Sequence, residues 1–441
     1  MGFGYEVTDT TSKALLAQEG DHVQLAGRVV FWRKLGKVAF GKLADSGGII
    51  QFSFNLRETP EKYREWVKTI KLGSIIFISG RMWTSSTGEF TVLVDTDFQV
   101  LRHSMHPFPD KWAGIVDPEQ KLRKRYLDIA LDPNVKRRFQ LRSKLITTMR
   151  QFLDGSSFME IETPILSPQA CGAQAKTFVT HHNALDADLH MRIAPETYLK
   201  RAVAAGLDRV FEIGKQFRNE GMDPSHLQEF TSVEWYAAHW DYKDNLDFFQ
   251  SMLRHMLIEC TSFKTSNDGP ILDIEYQGVT LNFNDIPVKT YQEVCQELGG
   301  FDPFELGDWK EVDERFKADV RPKLIQPVFL IDYPAHMSPL AHRSVDGKTV
   351  EQWQFIVNGW ELVKCYTELT DPVLQRQLLE EQMEARASGD EEAMMLEEDF
   401  LECMEYGMPP MSGLGCGIDR LVAILTDQTT LRDVVLFPTV L

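Results

Sequence analysis

The sequence predicts an α+β protein: a small β-barrel at the N-terminus, followed by a larger domain built around an antiparallel β-sheet. Three observations predict this. Residues from about 20 to 105 break into around five short, partly alternating apolar segments separated by turn residues. A proline-marked stretch comes next. Beyond it, strand-like and helical segments mix without the regular βαβ alternation of a parallel sheet. With 441 residues, the chain is also too long for one compact core of ordinary size.

Each element follows from local chemistry. Residues 22–30 partly alternate. Asp45, Ser46, Gly47 and Gly48 form a turn between the apolar segments 40–43 and 49–52, and Ser85, Ser86, Thr87 and Gly88 another between 75–78 and 90–94. With one helical insert at 60–69, the pattern fits a small barrel such as an OB-fold. Pro107, Pro109 and Pro118 mark a linker. The boundaries expected are therefore 1–105 for the barrel, 106–130 for the linker and 131–441 for the larger domain. Lys121, Arg123, Lys124 and Arg125 read either as a solvated helix face or as a phosphate-backbone contact. Leu141, Leu145, Met149, Phe152 and Leu153 recur at helical spacing.

Composition excludes several classes. Hydrophobic residues make up 43% and charged residues 25%, both ordinary for a soluble globular protein. No apolar run reaches the ~18 residues of a membrane span. The N-terminus lacks the basic and apolar regions of a secretory signal, and Glu6 makes Gly2 a poor myristoylation site. Cys171, Cys260, Cys295, Cys365, Cys403 and Cys416 form no C-x-x-C pair and have no zinc-like spacing with histidine. They read as reduced, mostly buried thiols of a cytoplasmic protein, so no zinc is expected. Lys plus Arg is 47 against 65 Asp plus Glu, a formal net charge of −18. That argues against a general nucleic-acid binder, DNA included, and favours a cationic substrate.

The chemistry gathers in three segments. Residues 209–218 read as a strand, 219–228 as a polar loop and 229–236 as the returning strand. Side chains alternate along a strand, so Phe230, Glu234 and Tyr236 share one face, while Val233, Trp235 and Ala237 face the core. Aromatic rings beside a carboxylate suit a ligand floor better than a plain core. In 361–368, if extended, Lys364, Tyr366 and Glu368 share a face. Gly413, Gly415 and Gly417 then precede an apolar helix with Arg420 in its first turn; no Gly-Lys-Ser/Thr follows, so this is not a P-loop.

These segments resemble the class II aminoacyl-tRNA synthetases. Phe217-Arg218-Asn219-Glu220 with Glu229-Phe230 resembles motif 2, residues 413–420 resemble motif 3, and residues 158–164, ending at Pro164, resemble motif 1. Residues 180–185, 192–196 and 366–372 resemble the lysyl-tRNA synthetases of subclass IIb. The likeness runs from about residue 20 to the C-terminus. It implies an OB-fold anticodon-binding domain, a class II catalytic domain on an antiparallel sheet, and a homodimer.

What the resemblance implies for chemistry is specific. L-lysine is activated by ATP to lysyl-adenylate and passed to tRNA(Lys). Its carboxylate is already a nucleophile, so positioning and charge neutralisation are the main needs. Arg218 bridges the α-phosphate and the amino-acid carboxylate, a task suited to a planar, always charged guanidinium. Glu220 reads the adenine amino group, Phe230 stacks on the base, and His226 and Arg420 hold the outer phosphates. Gly172 and Glu196 hold the α-amino group. Glu234, Tyr236 and Glu368 surround the ε-ammonium, with Tyr366 on the stem. Mg2+ accompanies ATP and needs oxygen ligands; Glu361 matches one of its carboxylates, but Gln354 stands at the other. Lys364 replaces an Asn near the substrate carboxylate, and Cys365 replaces a small Gly or Ala. Ser225 and Leu227 also depart from the pattern. In the barrel, Phe40 and Gln51 match residues that stack on and hydrogen-bond a uridine-rich anticodon, with Arg33 nearby. A protein-lysylating relative, an aspartyl or asparaginyl enzyme and an inactive RNA-binding protein remain alternatives.

Overall fold

A computed structural model of the protein describes residues 5–57, 61–106, 108, 114–169, 172, 175–261, 264–266, 269–306, 309–338, 340–387 and 395–440. Residues 1–4, Pro60, Pro107, Pro109 and Cys171 enter the reading above but lie outside these. The chain divides into two compact units, residues 1–137 with 437–441, and residues 138–436.

In the first unit, β1 (His22–Leu35), β2 (Val38–Ala44) and β3 (Ile49–Asn55) are followed by α1 (Glu61–Thr69), β4 (Ile75–Thr84) and β5 (Phe90–Arg102). The strands close into a barrel in the order β1-β2-β3-β5-β4. The β3–β5 pair is parallel and the other pairs are antiparallel. Alternation drives closure: Ala39, Leu43, Ile50, Phe52 and Phe54 point inward and are buried, each large side chain contributing about 1.5–3 kcal/mol. Gly80 lets β4 cross β5 closely, since a Cβ there would lie 1.9 Å from the Leu93 carbonyl oxygen.

Residues 118–131 are helical in two pieces, Pro118–Arg123 and Arg125–Leu131. This corrects the basic cluster. Arg125 is buried and pairs with Asp128 at 2.9 Å, so it belongs neither to a solvated face nor to a phosphate contact.

The second unit runs through α2 (Pro133–Gly155), β6 (Met159–Glu160), α3 (Glu196–Ala204), β7 (Arg209–Phe217), β8 (Glu229–Ala238) and α4 (Tyr242–Cys260). It continues with β9 (Val288–Thr290), β10 (Val328–Pro334), β11 (Thr349–Val357), β12 (Trp360–Thr367), β13 (Met411–Gly417) and α5 (Ile418–Leu425). The eight strands form one sheet in the order β9-β10-β11-β12-β13-β8-β7-β6. From β10 to β7 every pairing is antiparallel, as expected; at the edges β9 and β6 pair in parallel.

One face of the sheet is core. Val233, Trp235 and Ala237 from β8, Val363 and Cys365 from β12, and Leu414 and Cys416 from β13 are buried with Phe249, Leu253, Met256, Ile418, Leu421 and Val422 from α4 and α5. A capping box between Asp241 and Asp244 starts α4. The opposite face carries Glu234, Tyr236, Lys364 and Tyr366. The five described cysteines are free, with Cys295, Cys365 and Cys416 buried. Among the described residues, no helix is long and apolar enough to cross a membrane.

Candidate active site and RNA-facing surface

Cross-strand register builds the floor of the site. Gln354, Lys364, Gly415, Glu234 and Glu212 lie side by side across β11, β12, β13, β8 and β7, and the next row is Gln352, Tyr366, Gly413 and Tyr236. The glycines of β13 make the middle of both rows a trough. A Cβ on Gly413 would lie 2.1 Å from the Tyr236 ring. Above the floor is a cavity of about 370 Å3, within the range of small-molecule sites. Gly172, Glu196, Glu234, Tyr236 and Tyr366 line one part, and Arg218, Glu220, His226, Phe230, Glu361, Lys364 and Arg420 another. Gly172 has φ +87°, left-handed backbone that favours glycine, and its missing Cβ would stand 3.0 Å from the Ala194 carbonyl oxygen.

Strict alternation along β12 would separate Glu361 from Lys364. The structure brings both to the cavity because the pairing with β11 shifts register between Phe355 and Ile356. Two predicted residues stand outside the lining. Gln354 lies on the floor but accepts a 2.7 Å hydrogen bond from the Tyr333 hydroxyl. Glu368 is buried at 2% exposure just beyond β12 and is turned to Lys200.

Lys200 is the principal residue that the sequence reading missed. It is fully buried in α3, 2.6 Å from Glu196 Oε1 and in an ion pair with Glu368. Burial works to lower its ammonium's pKa, but the two facing carboxylates outweigh that and hold it above its ordinary value. The signal was present in Glu196 and Lys200, four residues apart on a helix. The Tyr366 hydroxyl donates to Glu196 at 3.1 and 3.3 Å. Glu234 is nearby. Burial, and then the charge of Glu196, push its carboxyl up to about 8, against the pull of Arg218 and Arg192. This end of the cavity is lined by two buried carboxyl groups and two phenols, with the Lys200–Glu368 ion pair packed behind Glu196, a set that suits an added cation.

The other end suits anions. The Arg218 guanidinium sits 5.2 Å from the centre of the Phe230 ring, and its buried Nε has no hydrogen-bond partner among the described residues. Arg420, in the first turn of α5, donates to the Glu361 carbonyl at 2.7 Å and lies 3.1 Å from His226 Nε2. His226 Nδ1 is 2.7 Å from Asp223. Burial works to raise Asp223, but the Ser225 hydroxyl and amide and the His226 ring bring it down to about 2. With Nδ1 against Asp223 and Nε2 against Arg420, the His226 ring bridges the two and orients Arg420. Ser225 adds its carbonyl to Arg420 at 3.4 Å, and Leu227 packs on the core. Among the described residues there is no group of three His, Cys, Asp or Glu side chains placed to hold a metal. The donor set fits an ion brought in by phosphates and touched by Glu361, rather than a cage built by the protein.

In the barrel, Arg33 is exposed and pairs in register with half-buried Phe40, and Lys42 pairs with Gln51. Gln51 Nε2 donates to Thr91 at 2.8 Å, and Lys42 meets Glu89 at 2.6 Å. Trp83, overlooked in the sequence, is half-buried across from Thr91 and donates to Ser53 at 3.3 Å.

Comparison with known proteins shows the family of the chain. A family model described as tRNA synthetases class II (D, K and N) matches residues 117–441, and one described as OB-fold nucleic acid binding domain matches residues 23–100. Among similar curated proteins, the lysine–tRNA ligase of Aquifex aeolicus is 41% identical over 434 residues, 94% of this chain and 72% of that protein. That of Clostridium tetani is 40% identical over 446 residues, 96% and 87% of the two chains. That of Carboxydothermus hydrogenoformans is 39% identical over 442 residues, 94% and 88%.

Proposed function

Since this chain belongs to the class II tRNA synthetases of the D, K and N group, we propose that the cavity of its larger unit is where L-lysine meets ATP. The chain is a lysine–tRNA ligase: it activates lysine and esterifies it to tRNA. The observation that carries the site assignment is the polarity of the cavity, with buried carboxyl groups at one end and, at the other, the Arg218 Nε that has no partner among the described residues.

In this reading Glu234 and Tyr236 receive the ε-ammonium, with Glu368 behind them through Lys200. Glu196 and the Gly172 backbone take the α-amino group, and Tyr366 packs the stem. Phe230 stacks on adenine and Glu220 accepts from its amino group. Arg218 holds the lysine carboxylate and the α-phosphate together. The carboxylate oxygen then attacks phosphorus and pyrophosphate leaves toward Arg420, which His226 orients. Magnesium carried by ATP would spread the charge of the leaving group, with Glu361 the carboxylate that faces it. In the second step a ribose hydroxyl of tRNA(Lys) attacks the lysyl carbonyl and AMP departs.

We assign anticodon reading to residues 1–105, through Phe40, Gln51 and Arg33. Residues 106–130 are taken as linker and 131–441 as the catalytic domain, and the setting is cytoplasmic translation. Exposed Met159, Ile165, Leu166 and Val179 around motif 1 support a homodimer. Sedimentation at micromolar concentration should give twice the chain mass; a monomer removes the dimer from this reading. ATP–pyrophosphate exchange with each amino acid, without tRNA, tests the site. Exchange with lysine alone is expected. Exchange with another amino acid overturns the assignment of the pocket, and no exchange overturns the activation step.

A further inference from the structure

At the anion-binding end, β10, β11 and β12 bring Tyr333, Gln354 and Lys364 together. Tyr333 is buried. Its hydroxyl donates to Gln354 Oε1 at 2.7 Å. That engages one lone pair of the only oxygen through which Gln354 could meet a cation, and the side chain brings no negative charge. Directly opposite Gln354 across the β11–β12 pair is Lys364. Lys364 lines the cavity, and its ammonium makes no hydrogen bond and no ion pair among the described residues. Its Nζ lies 5.8 Å from the centre of the Tyr366 ring. This corner therefore pairs a neutral amide with an uncommitted positive charge, and there is no three-residue metal-ligating group among the described residues.

Cβ atoms of directly opposed residues lie about 4.5–5.5 Å apart. A divalent ion held from position 354 would therefore stand within reach of Lys364, and the two cations would repel. An ammonium offers three donors and a compact positive charge, enough to meet a carboxylate or phosphate oxygen without a metal.

We infer that Lys364 is a built-in cation: with the Gln354 amide beside it, its ammonium neutralises the substrate oxygens at this corner in place of a protein-held divalent ion, and the enzyme retains only the metal that its nucleotide carries. This rests on the reading of the cavity as an ATP and lysine site.

Electron paramagnetic resonance of Mn2+ tests it, in a titration of the whole protein with saturating α,β-methylene-ATP and L-lysine. The wild type is expected to hold one Mn2+ per bound nucleotide. The double variant Gln354→Glu/Lys364→Asn is expected to gain a second ion, bound at least about 10-fold more tightly than any second ion in the wild type. A second Mn2+ already present in the wild type overturns the inference, and so does a folded double variant with no gain. Lys364→Met gives an independent reading if the double variant fails to fold. In excess EDTA with lysine present, its affinity for the nucleotide analogue should fall about 10-fold below that of the wild type; equal affinity overturns the inference. A protein that binds no nucleotide at all overturns the functional reading itself, whereas nucleotide bound with two ions overturns only the role of Lys364.

Discussion

Closed off from water beside Glu196, Glu234 has a carboxyl raised from 4.5 to about 8. A folded pKa above the ordinary one means that the folded protein binds the extra proton. The stability this gives is complete below the ordinary value and is lost as the pH rises through about 8. Glu234→Gln is neutral at every pH and should escape that loss. In urea melts without ligand, its stability relative to the wild type should grow from pH 5 to 8, at no more than about 1.4 kcal/mol per pH unit. A constant difference would mean that Glu234 ionises normally. Lysine binding brings the missing cation and should expel the proton, so the wild-type KM for lysine should fall from pH 6.5 to 8 while that of the variant stays high and flat. Lys200 and Glu368 make a second prediction. Glu368→Gln should raise the lysine KM far more than the ATP KM, and equal effects would displace it from the ammonium end. Lys200→Met strands Glu196 and Glu368 as buried anions and should cost about 3–5 kcal/mol in denaturant unfolding.

At the scale of elements, β13 is defined by what it lacks. Its glycines leave a trough between charged and aromatic neighbours, but they are not equivalent. A methyl at Gly413 would meet the Tyr236 ring at 2.1 Å and Glu368 Oε1 at 2.3 Å, whereas one at Gly415 finds Glu234 Cγ at 3.6 Å, ordinary contact. Gly413→Ala should therefore destabilise the fold by about 1–3 kcal/mol through overpacking. Gly415→Ala should melt like the wild type, within roughly 0.5 kcal/mol, yet raise the lysine KM by narrowing the trough. Thermal melts beside pyrophosphate exchange separate the two; a destabilised Gly415→Ala would refute the distinction. In β12 the register shift matters in a similar way, since it alone turns Glu361 and Lys364 to the same side.

Across the whole molecule, the two units carry separable tasks. With a net charge of −18, the proposed tRNA recognition falls to a local surface, the barrel face on which Arg33, Phe40, Gln51 and Trp83 stand in register. Phe40→Ala and Trp83→Ala should each weaken tRNA binding by about 1–3 kcal/mol per lost base stack and leave pyrophosphate exchange without tRNA unchanged; loss of exchange would contradict that separation. The alternation of residues 209–217 and 229–238, the five barrel strands, the glycine strand running into α5 and the succession of motifs were legible in the sequence by itself. They fixed the two folds and the Phe230, Glu234, Tyr236, Lys364 and Tyr366 floor of the cavity, because strand periodicity is a local property written in consecutive residues, whereas Gly172, Glu196, Glu220, His226 and Glu361 were named only through the family resemblance. The tertiary structure alone decided that Lys200 occupies the carboxylate pair, that Tyr333 engages Gln354, that Arg125 is buried against Asp128, and that Glu361 joins Lys364. Tyr366 reaches Glu196 across 170 residues of chain. Pairings of that kind depend on cross-strand register and on which charges are shut away from water together, and neither is set by the residues next to them in sequence.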